Sequence, residues 1–456
     1  MAEIKQDMTQ GSVAENLLRF SFPIFLSYLF QALYGSVDVL IVGRFSGLAN
    51  VTGVTQGSQI MHILTQAVSG LTTGAGILIA RYTGEKKEAD LMETIQTIFT
   101  LFLLLSLALA AAMLLLNKRI LCLLEIPEEA MDPALGYLRI CELGMVFIFL
   151  YNCIAAVMQA LGDSRHPFLF ITIACIINVA LDLVFVLAFG LGAQGTALAT
   201  VISQMISVFL LIRFLRRNTF PFRFHPGQFR VFRDKLDMVL RLGVPYALQR
   251  GIVACSFLAI SGLANGYGIS AASAAGVVSK INNFATMPFS AIQSAIATAA
   301  GQNMGAGRLD RANHTFLVGL TLNFTIGASL FTLVQLMPGT CLSLFSPDEE
   351  MIRCGIPFLR FFALEYLLMP FSYSIHALLS ASGRTILPAV NGLFASVICR
   401  IPLATLVSSC LGFPGVALGS SLAVLGAVIP ASIFYFMGVW ERPKLGKSSV
   451  SKGPGK

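Results

Sequence analysis

The sequence predicts an all-α integral membrane protein, with twelve transmembrane helices in two six-helix lobes that form a parallel-type internal repeat around a central cleft. Three observations predict it. The 456 residues are 56% hydrophobic and only 12% charged, with a mean hydropathy of +0.78, whereas a soluble domain carries about 25% charged residues. Apolar stretches of about 20 or more residues, each long enough to cross a bilayer as a helix, recur along the whole chain. The second half also repeats the first.

In order, the apolar segments are 17–43, 51–80, 95–116, 132–160, 167–189, 193–215, 237–264, 273–300, 314–337, 353–381, 387–409 and 414–440. They are too long, and too rich in Leu, Ala and Gly, for the alternating strands of a barrel. The organisation that follows is a cytoplasmic tail (1–16), an N-lobe (17–215), a cytoplasmic loop (216–236), a C-lobe (237–440) and a cytoplasmic tail (441–456). The polar start MAEIKQDMTQGSVAENLL and the long first apolar run predict no cleavable signal. The nine cysteines fall mostly inside apolar segments, with no CxxC pair or metal-type spacing, and read as small core residues.

The net charge of +8 is a topology signal rather than a nucleic-acid patch. With both termini cytoplasmic, Lys5, Arg19, Arg81, Lys86, Lys87, Arg165, Arg308, Arg311, Arg384, the C-terminal tail and the loop RFLRRNTFPFRFHPGQFRVFRDKLD all fall inside. The outer loops hold only Arg44, Lys118 and Arg119. That bias is the positive-inside pattern, and it expects a multi-pass protein of the cell (inner or plasma) membrane.

The repeat is read from matched residues at a near-constant offset. LLRFSFP opens the first half and VLRLGVP the second, so Pro23 matches Pro245. QALGDSRHP faces SASGRTILP, so Gly162 matches Gly383 and Pro167 matches Pro388. GLGAQGTALAT faces LGFPGVALGSS, so Gly195 matches Gly415. Six helices per half give both halves the same orientation, related by an axis along the membrane normal, a common carrier arrangement. Pro23, Pro245, Pro288, Pro370, Pro402 and Pro430 lie inside apolar segments, where each removes a backbone hydrogen bond that neighbours can re-satisfy. The runs GLTTG, GLANG and GQNMG suit close helix approach.

A charge at membrane depth is expensive unless paired or wetted. Two sets have local partners: Arg139 with Glu142, and Arg360 with Glu365, each expected to pair on its own helix. The roles of Arg250, Lys280 and Arg400 stay open. Asp38 and Asp182 have no local partner. Tyr34 and Asp38 share a face at i,i+4 on the first segment, and Asn178 and Asp182 do so on the fifth. Thr196 and Thr200 bring hydroxyls on the sixth. If these faces meet, two carboxylates, an amide and a hydroxyl converge. Close carboxylates in low dielectric cannot both stay ionised without a cation, so H⁺ or Na⁺ would satisfy the site. The bland alternative is a wetted aspartate near the outer surface. The second half places Ile260, Cys399 and Leu403 opposite Asp38, Asn178 and Asp182. A cluster kept in one half is better explained by function than by folding.

Enzyme chemistry finds no footing. HExxH and GxSxG are absent, and His62, His166, His225, His314 and His376 are scattered. GxxxxGK[ST] is absent too, which speaks against an ATP-driven pump.

The sequence resembles the multidrug and toxic compound extrusion family over nearly its whole length. The resemblance rests on Pro23, Tyr34 and Asp38 in the first segment, IARYTGEKKEAD, QALGDSRHP, Asn178 with Asp182, and VVSKINNFATMPFSAIQSAIATAAGQNMGAGRLDRA. It implies a secondary carrier that exports organic cations or amphipathic drugs against an inward H⁺ or Na⁺ gradient, by alternating access. It implies a cation-coupling site at Asp38, Asn178, Asp182 and Thr200, with Tyr34 and Asn152 nearby, and Na⁺ as the one metal to consider. Some members also use an acid on the seventh helix. Here that region reads VPYALQRGIVACSF, with Gln249 and Arg250 and no acid. The expected partners are small cationic or amphipathic drugs and membrane lipids, with no nucleic acid, no cofactor and a monomeric state. A flippase for a lipid-linked saccharide is the alternative, for which Arg250, Lys280 and Arg400 offer some basic character.

Overall fold

The computed structural model describes residues 7–442 apart from 125, 219, 221–226 and 228. The outer parts of the two predicted tails (1–6 and 443–456) and much of the predicted loop therefore lie outside the described residues. Among those described there is no strand. The helices of the first half are α1 (Val13–Phe45), α2 (Leu48–Glu85), α3 (Glu88–Leu123), α4 (Glu128–Ala160), α5 (Arg165–Asp182) and α6 (Gly192–Arg217). The second half contains α7 (Arg233–Asn265), α8 (Ile269–Gly305), α9 (Leu309–Leu336), the short α10 (Pro338–Ser343), α11 (Glu349–Phe362), α12 (Glu365–Ala381), α13 (Ile386–Leu393), α14 (Ile401–Leu411), α15 (Phe413–Ala423) and α16 (Leu425–Phe436).

Eleven spans among the described residues are long and apolar enough to cross a membrane. α8 supplies a twelfth by length, with 37 residues. Its Ser, Thr, Asn, Gln and Lys hold its hydropathy down. Several predicted single segments are built from two helices end to end. α11 and α12 form one span, as do α13 with α14 and α15 with α16. The break between α11 and α12 interrupts the regular ladder, and the Phe361 carbonyl accepts from Leu364 N–H three residues on, at 3.3 Å. Ser421 of α15 answers it, its hydroxyl donating to the carbonyls of Phe361 at 3.0 Å and Phe362 at 3.2 Å. That is how a broken helix keeps its backbone satisfied at membrane depth.

The repeat has a backbone cause at its turns. Gly162 follows α4 and Gly383 follows α12, with φ of 100° and 80°. Only glycine enters that region without a steric penalty. Both turns close alike, Asp163 N–H donating to Met158 and Arg384 N–H to Leu379.

The chain packs as two compact units. One comprises 22–83 and 87–241. Its helices α3, α4, α5 and α6 pack side by side, with Leu138, Met145, Ile154 and Met158 of α4 buried among them. The other comprises 7–21, 84–86 and the chain from 242 onward. Its core joins Phe289, Phe358, Leu359, Phe362 and Tyr366 with Val416 and Ala417. The segment before α1 is tied into this second unit. Met8 is buried, its N–H donating to Gln302 Oε1 at 3.0 Å. Arg308 and Arg311 donate to the carbonyls of Thr9, Gln10 and Gly11, each at 2.8 Å.

Two expected ion pairs are not formed. Arg360 turns to the carbonyl of Gln335, while Glu365 faces Arg400. The break between α11 and α12 removes the shared helix face on which Arg360 and Glu365 were to meet. Glu142 is instead bonded by Asn117 Nδ2 of α3, at 3.0 Å, and Arg139 points outward. The nine cysteines are all free.

Candidate functional site

The carboxylate cluster lies wholly within the first unit, on α1, α5 and α6. α5 is held against its neighbours by single polar contacts. Tyr151 of α4 donates to the carbonyl of Pro167 at 2.9 Å, and Ser207 of α6 donates to that of Phe170 at 3.1 Å. The Cys175 thiol reaches the carbonyl of Phe30 on α1 at 3.8 Å. Asp182 is the last residue of α5. A π-helical turn, Leu183–Ala188, follows it directly. Such turns re-aim a side chain and recur at functional sites.

This arrangement brings Asp38, Asp182, Asn178 and Thr200 together. Asp182 is fully buried and Asp38 is 4% exposed. The two carboxyl groups lie within hydrogen-bonding reach of each other, and Thr200 lies within reach of Asp38. Asn178 Nδ2 donates to Thr200 Oγ1 at 3.4 Å. One oxygen of Asp38, both oxygens of Asp182 and Oδ1 of Asn178 have no donor among the described residues. Tyr34 stands one turn before Asp38 and shares its surroundings. Asn152 does not join the cluster through its amide, which donates to the Ile148 carbonyl of its own helix at 2.8 Å.

Sequence reasoning missed two neighbours. Tyr137 and Cys141 of α4, both buried, lie in the electrostatic surroundings of Asp38 and Tyr34. The available signal was their i,i+4 spacing, which puts both on one face of α4.

Chemically, the cluster is a concentration of oxygen atoms with few donors. Ionised carboxylates only accept hydrogen bonds. Two of them at this range need a proton between them or a cation beside them. Oxygen donors suit a hard ion such as Na⁺. No group of three or more His, Cys, Asp or Glu converges among the described residues.

The apolar spans make this a multi-pass membrane protein, and the family it matches makes it a transporter rather than an enzyme. The chain belongs to the MatE family, whose model matches it twice, at residues 23–184 and 245–406. The second match opens on Pro245, the repeat counterpart of Pro23. Among its relatives, the probable multidrug resistance protein YoeA of Bacillus subtilis is 30% identical over 97% of each chain. YpnP, a probable multidrug resistance protein of the same organism, is 27% identical over 96% of this chain and 98% of its own. The multidrug export protein MepA of Staphylococcus aureus (strain NCTC 8325 / PS 47) is 20% identical over 92% of this chain and 94% of its own. The fold matches a crystal structure of MATE in the bent conformation, with a TM-score of 0.88, 20% identity, and 95% and 96% of the two chains covered. It also matches an outward-facing multidrug resistance MATE family transporter of the MOP superfamily, with a TM-score of 0.87, 20% identity, and 95% and 97% covered.

Proposed function

We propose that this chain is a multidrug exporter that moves cationic or amphipathic small molecules out of the cell in exchange for an inward-moving cation. The observation that carries the coupling is the buried approach of Asp38 to Asp182 beside Thr200. Its relatives' names, multidrug resistance and multidrug export proteins, support the substrate class.

A gradient drives export only if the two ligands favour different states of the carrier. With the carboxylates ionised, the cluster calls for water or a cation. Once neutralised, Asp38 and Asp182 share a hydrogen bond, and α1 repacks against α5 and α6. The repacked state holds drug weakly and releases it outside. The lobes then rock inward, drug reloads, and the coupling cation leaves to the cytoplasm.

The reach between the two carboxyl groups favours H⁺, because a hydrogen bond between them requires a proton. The donor-free oxygens of Asp38, Asp182 and Asn178 favour Na⁺ as the second reading. Drug binding would rest on Phe and Met surfaces with few directional bonds, which suits a broad substrate range. The positive-inside pattern supports a plasma-membrane carrier with both termini in the cytoplasm. We place no cofactor in it and take it to act as a monomer.

The test uses purified protein in liposomes. A pH gradient and a Na⁺ gradient are imposed separately, and ethidium movement is followed in wild type and D38N. Movement driven by one gradient and lost in D38N is expected, and it identifies the ion. Equal movement in D38N would overturn the coupling role.

A further inference from the structure

The second unit holds a buried charged pair for which the cation-coupling reading has no use. Glu365 opens α12 just after the break, and Arg400 ends a π-helical segment, Phe394–Arg400, that joins α13 to α14. Glu365 is fully buried and Arg400 is 7% exposed. Arg400 Nη2 lies 3.7 Å from Glu365 Oε1, close enough for Coulomb attraction but too long for a hydrogen bond. Nε and Nη1 of Arg400 and both oxygens of Glu365 have no hydrogen-bond partner among the described residues. The ring of Phe257 on α7 covers the guanidinium, 4.3 Å from its centroid. Tyr373 lies in the same neighbourhood, within the electrostatic reach of Arg250, Glu365 and Arg400.

A buried pair built for stability would close its hydrogen bonds, because desolvation otherwise exceeds the Coulomb gain. This pair leaves two nitrogens of Arg400 and both oxygens of Glu365 without hydrogen bonds, beside the aromatic face of Phe257. Arg400 also stands one residue from Cys399, the repeat counterpart of Asn178. In each half, a π-helical segment adjoins the charged residue on the corresponding span: Leu183–Ala188 after Asp182, and Phe394–Arg400 ending on Arg400. The second unit therefore carries a buried charged position where the first carries its cluster, with different charges.

We propose that Arg400 and Glu365 form a substrate subsite for the head of a zwitterionic amphipath. An oxyanion of the ligand takes the open fork of Arg400, which matches carboxylate and phosphate geometry. An ammonium or other N–H donor of the ligand takes Glu365. The apolar body lies along Phe257. A simple cation would leave Arg400 unmet and be repelled by it, and a simple anion would be pressed against Glu365. A ligand bearing both charges satisfies both residues. This rests on the reading that the chain exports small amphipaths, and a binding measurement, which needs no gradient, separates the two.

The experiment measures binding by fluorescence anisotropy in phosphatidylcholine nanodiscs. The probes are rhodamine 19, which carries a free carboxylate and N–H donors, and its ethyl ester, rhodamine 6G. R400Q is expected to weaken rhodamine 19 by about tenfold or more, while rhodamine 6G, relieved of the repulsion, binds at least as tightly as to wild type and reports that the protein is folded. R400K keeps the charge without the fork and is expected to fall between. The R400Q/E365Q double variant leaves no lone buried charge and is expected to weaken rhodamine 19 at least as much as R400Q does. Equal loss of both dyes, or no loss of rhodamine 19 in the double variant, overturns the subsite. Phosphatidylethanolamine offers the same pair of charges. If added to the nanodiscs it competes with rhodamine 19 in wild type, the subsite takes a lipid headgroup. If it does not compete while R400Q still weakens the dye, the subsite takes a soluble zwitterion. Intact rhodamine 19 binding in a protein that fails the liposome test would overturn the antiport reading and leave this subsite standing.

Discussion

Asp38 on α1 and Asp182 at the end of α5 are buried within hydrogen-bonding reach of each other, and both side chains are acceptors when ionised. The contact becomes favourable only when a proton or another cation joins them. An amide at either position supplies the missing donor permanently. D38N and D182N are therefore expected to fold as stably as wild type while losing gradient-driven export. Thermal unfolding in detergent and liposome transport measure the two sides. A melting temperature lowered by about 4 °C or more, the scale of several kcal/mol in a chain this long, would make these residues structural instead.

Thr200 links the two halves of the cluster, accepting from Asn178 at 3.4 Å and lying within reach of Asp38. Thr200→Val keeps the shape and removes the hydroxyl. One lost hydrogen bond between neutral groups, that from Asn178, is worth about 0.5–1.5 kcal/mol, or roughly twofold to tenfold in coupling-ion affinity. The expected result is a higher ion concentration for half-maximal transport, with the maximal rate largely kept. An unchanged ion dependence would remove Thr200 from the site.

The cluster was legible because its residues are chemical exceptions. A carboxylate in an apolar run stands out, and i,i+4 spacing says which face it shares. Tyr137 and Cys141 were not legible, because buried tyrosine and cysteine in an apolar helix are unremarkable without the fold. The helices themselves followed from apolar length, with α8 the least apolar of them. The break between Phe362 and Glu365 has no proline or glycine to mark it. The hydroxyl that caps it, Ser421, lies far along the chain. Arg360 and Glu365 looked like partners on a continuous helix, and the break sends them apart. Arg400, which faces Glu365, comes from another helix at a separation that no sequence spacing encodes.

Ser421→Ala tests what holds that break. The hydroxyl meets two carbonyls, Phe361 and Phe362, in a place with little water. Losing a neutral hydrogen bond costs about 0.5–1.5 kcal/mol, since the Phe361 carbonyl keeps the Leu364 N–H. The variant is expected to lower thermal stability by that amount, with Ser421→Thr restoring most of it. No change in either variant would mean that the break is satisfied by other means.

Gly327 on α9 faces the backbone carbonyl of Tyr366 on α12, so closely that a Cβ would overlap it. Tyr366 is also the residue whose carbonyl loses its helical donor to Pro370, four positions on. A methyl group here cannot be accommodated by a side-chain rotation, because the obstacle is backbone. Gly327→Ala is expected to push α9 from α12 and cost about 1–3 kcal/mol. The gain that alanine normally brings to a helix interior, about 1 kcal/mol, works against that loss. A stabilised variant would show that α9 shifts freely.

The segment before α1 gives a pH prediction. Asp7 is exposed, and the partial loss of water around it opposes its ionisation. Donations from the Thr9 hydroxyl and N–H, with the charges of Lys86 and Arg308, outweigh that and hold its carboxyl below the ordinary value of 3.8. A carboxyl with a depressed folded value stabilises the ordered segment at all pH above its unfolded value. That contribution is lost as pH falls from about 4 through the folded value. Arg308 and Arg311 hold the carbonyls of Thr9, Gln10 and Gly11 by contacts that do not pass through Asp7. Hydrogen exchange at Met8 and Thr9 should therefore stay slow at neutral pH and quicken below about pH 4, relative to the intrinsic rate. Asp7→Asn should show the faster exchange at every pH, with no further rise in acid. Arg311→Ala should quicken exchange without moving the pH at which it changes. Identical protection in wild type and Asp7→Asn would mean that the arginines alone hold the segment in place.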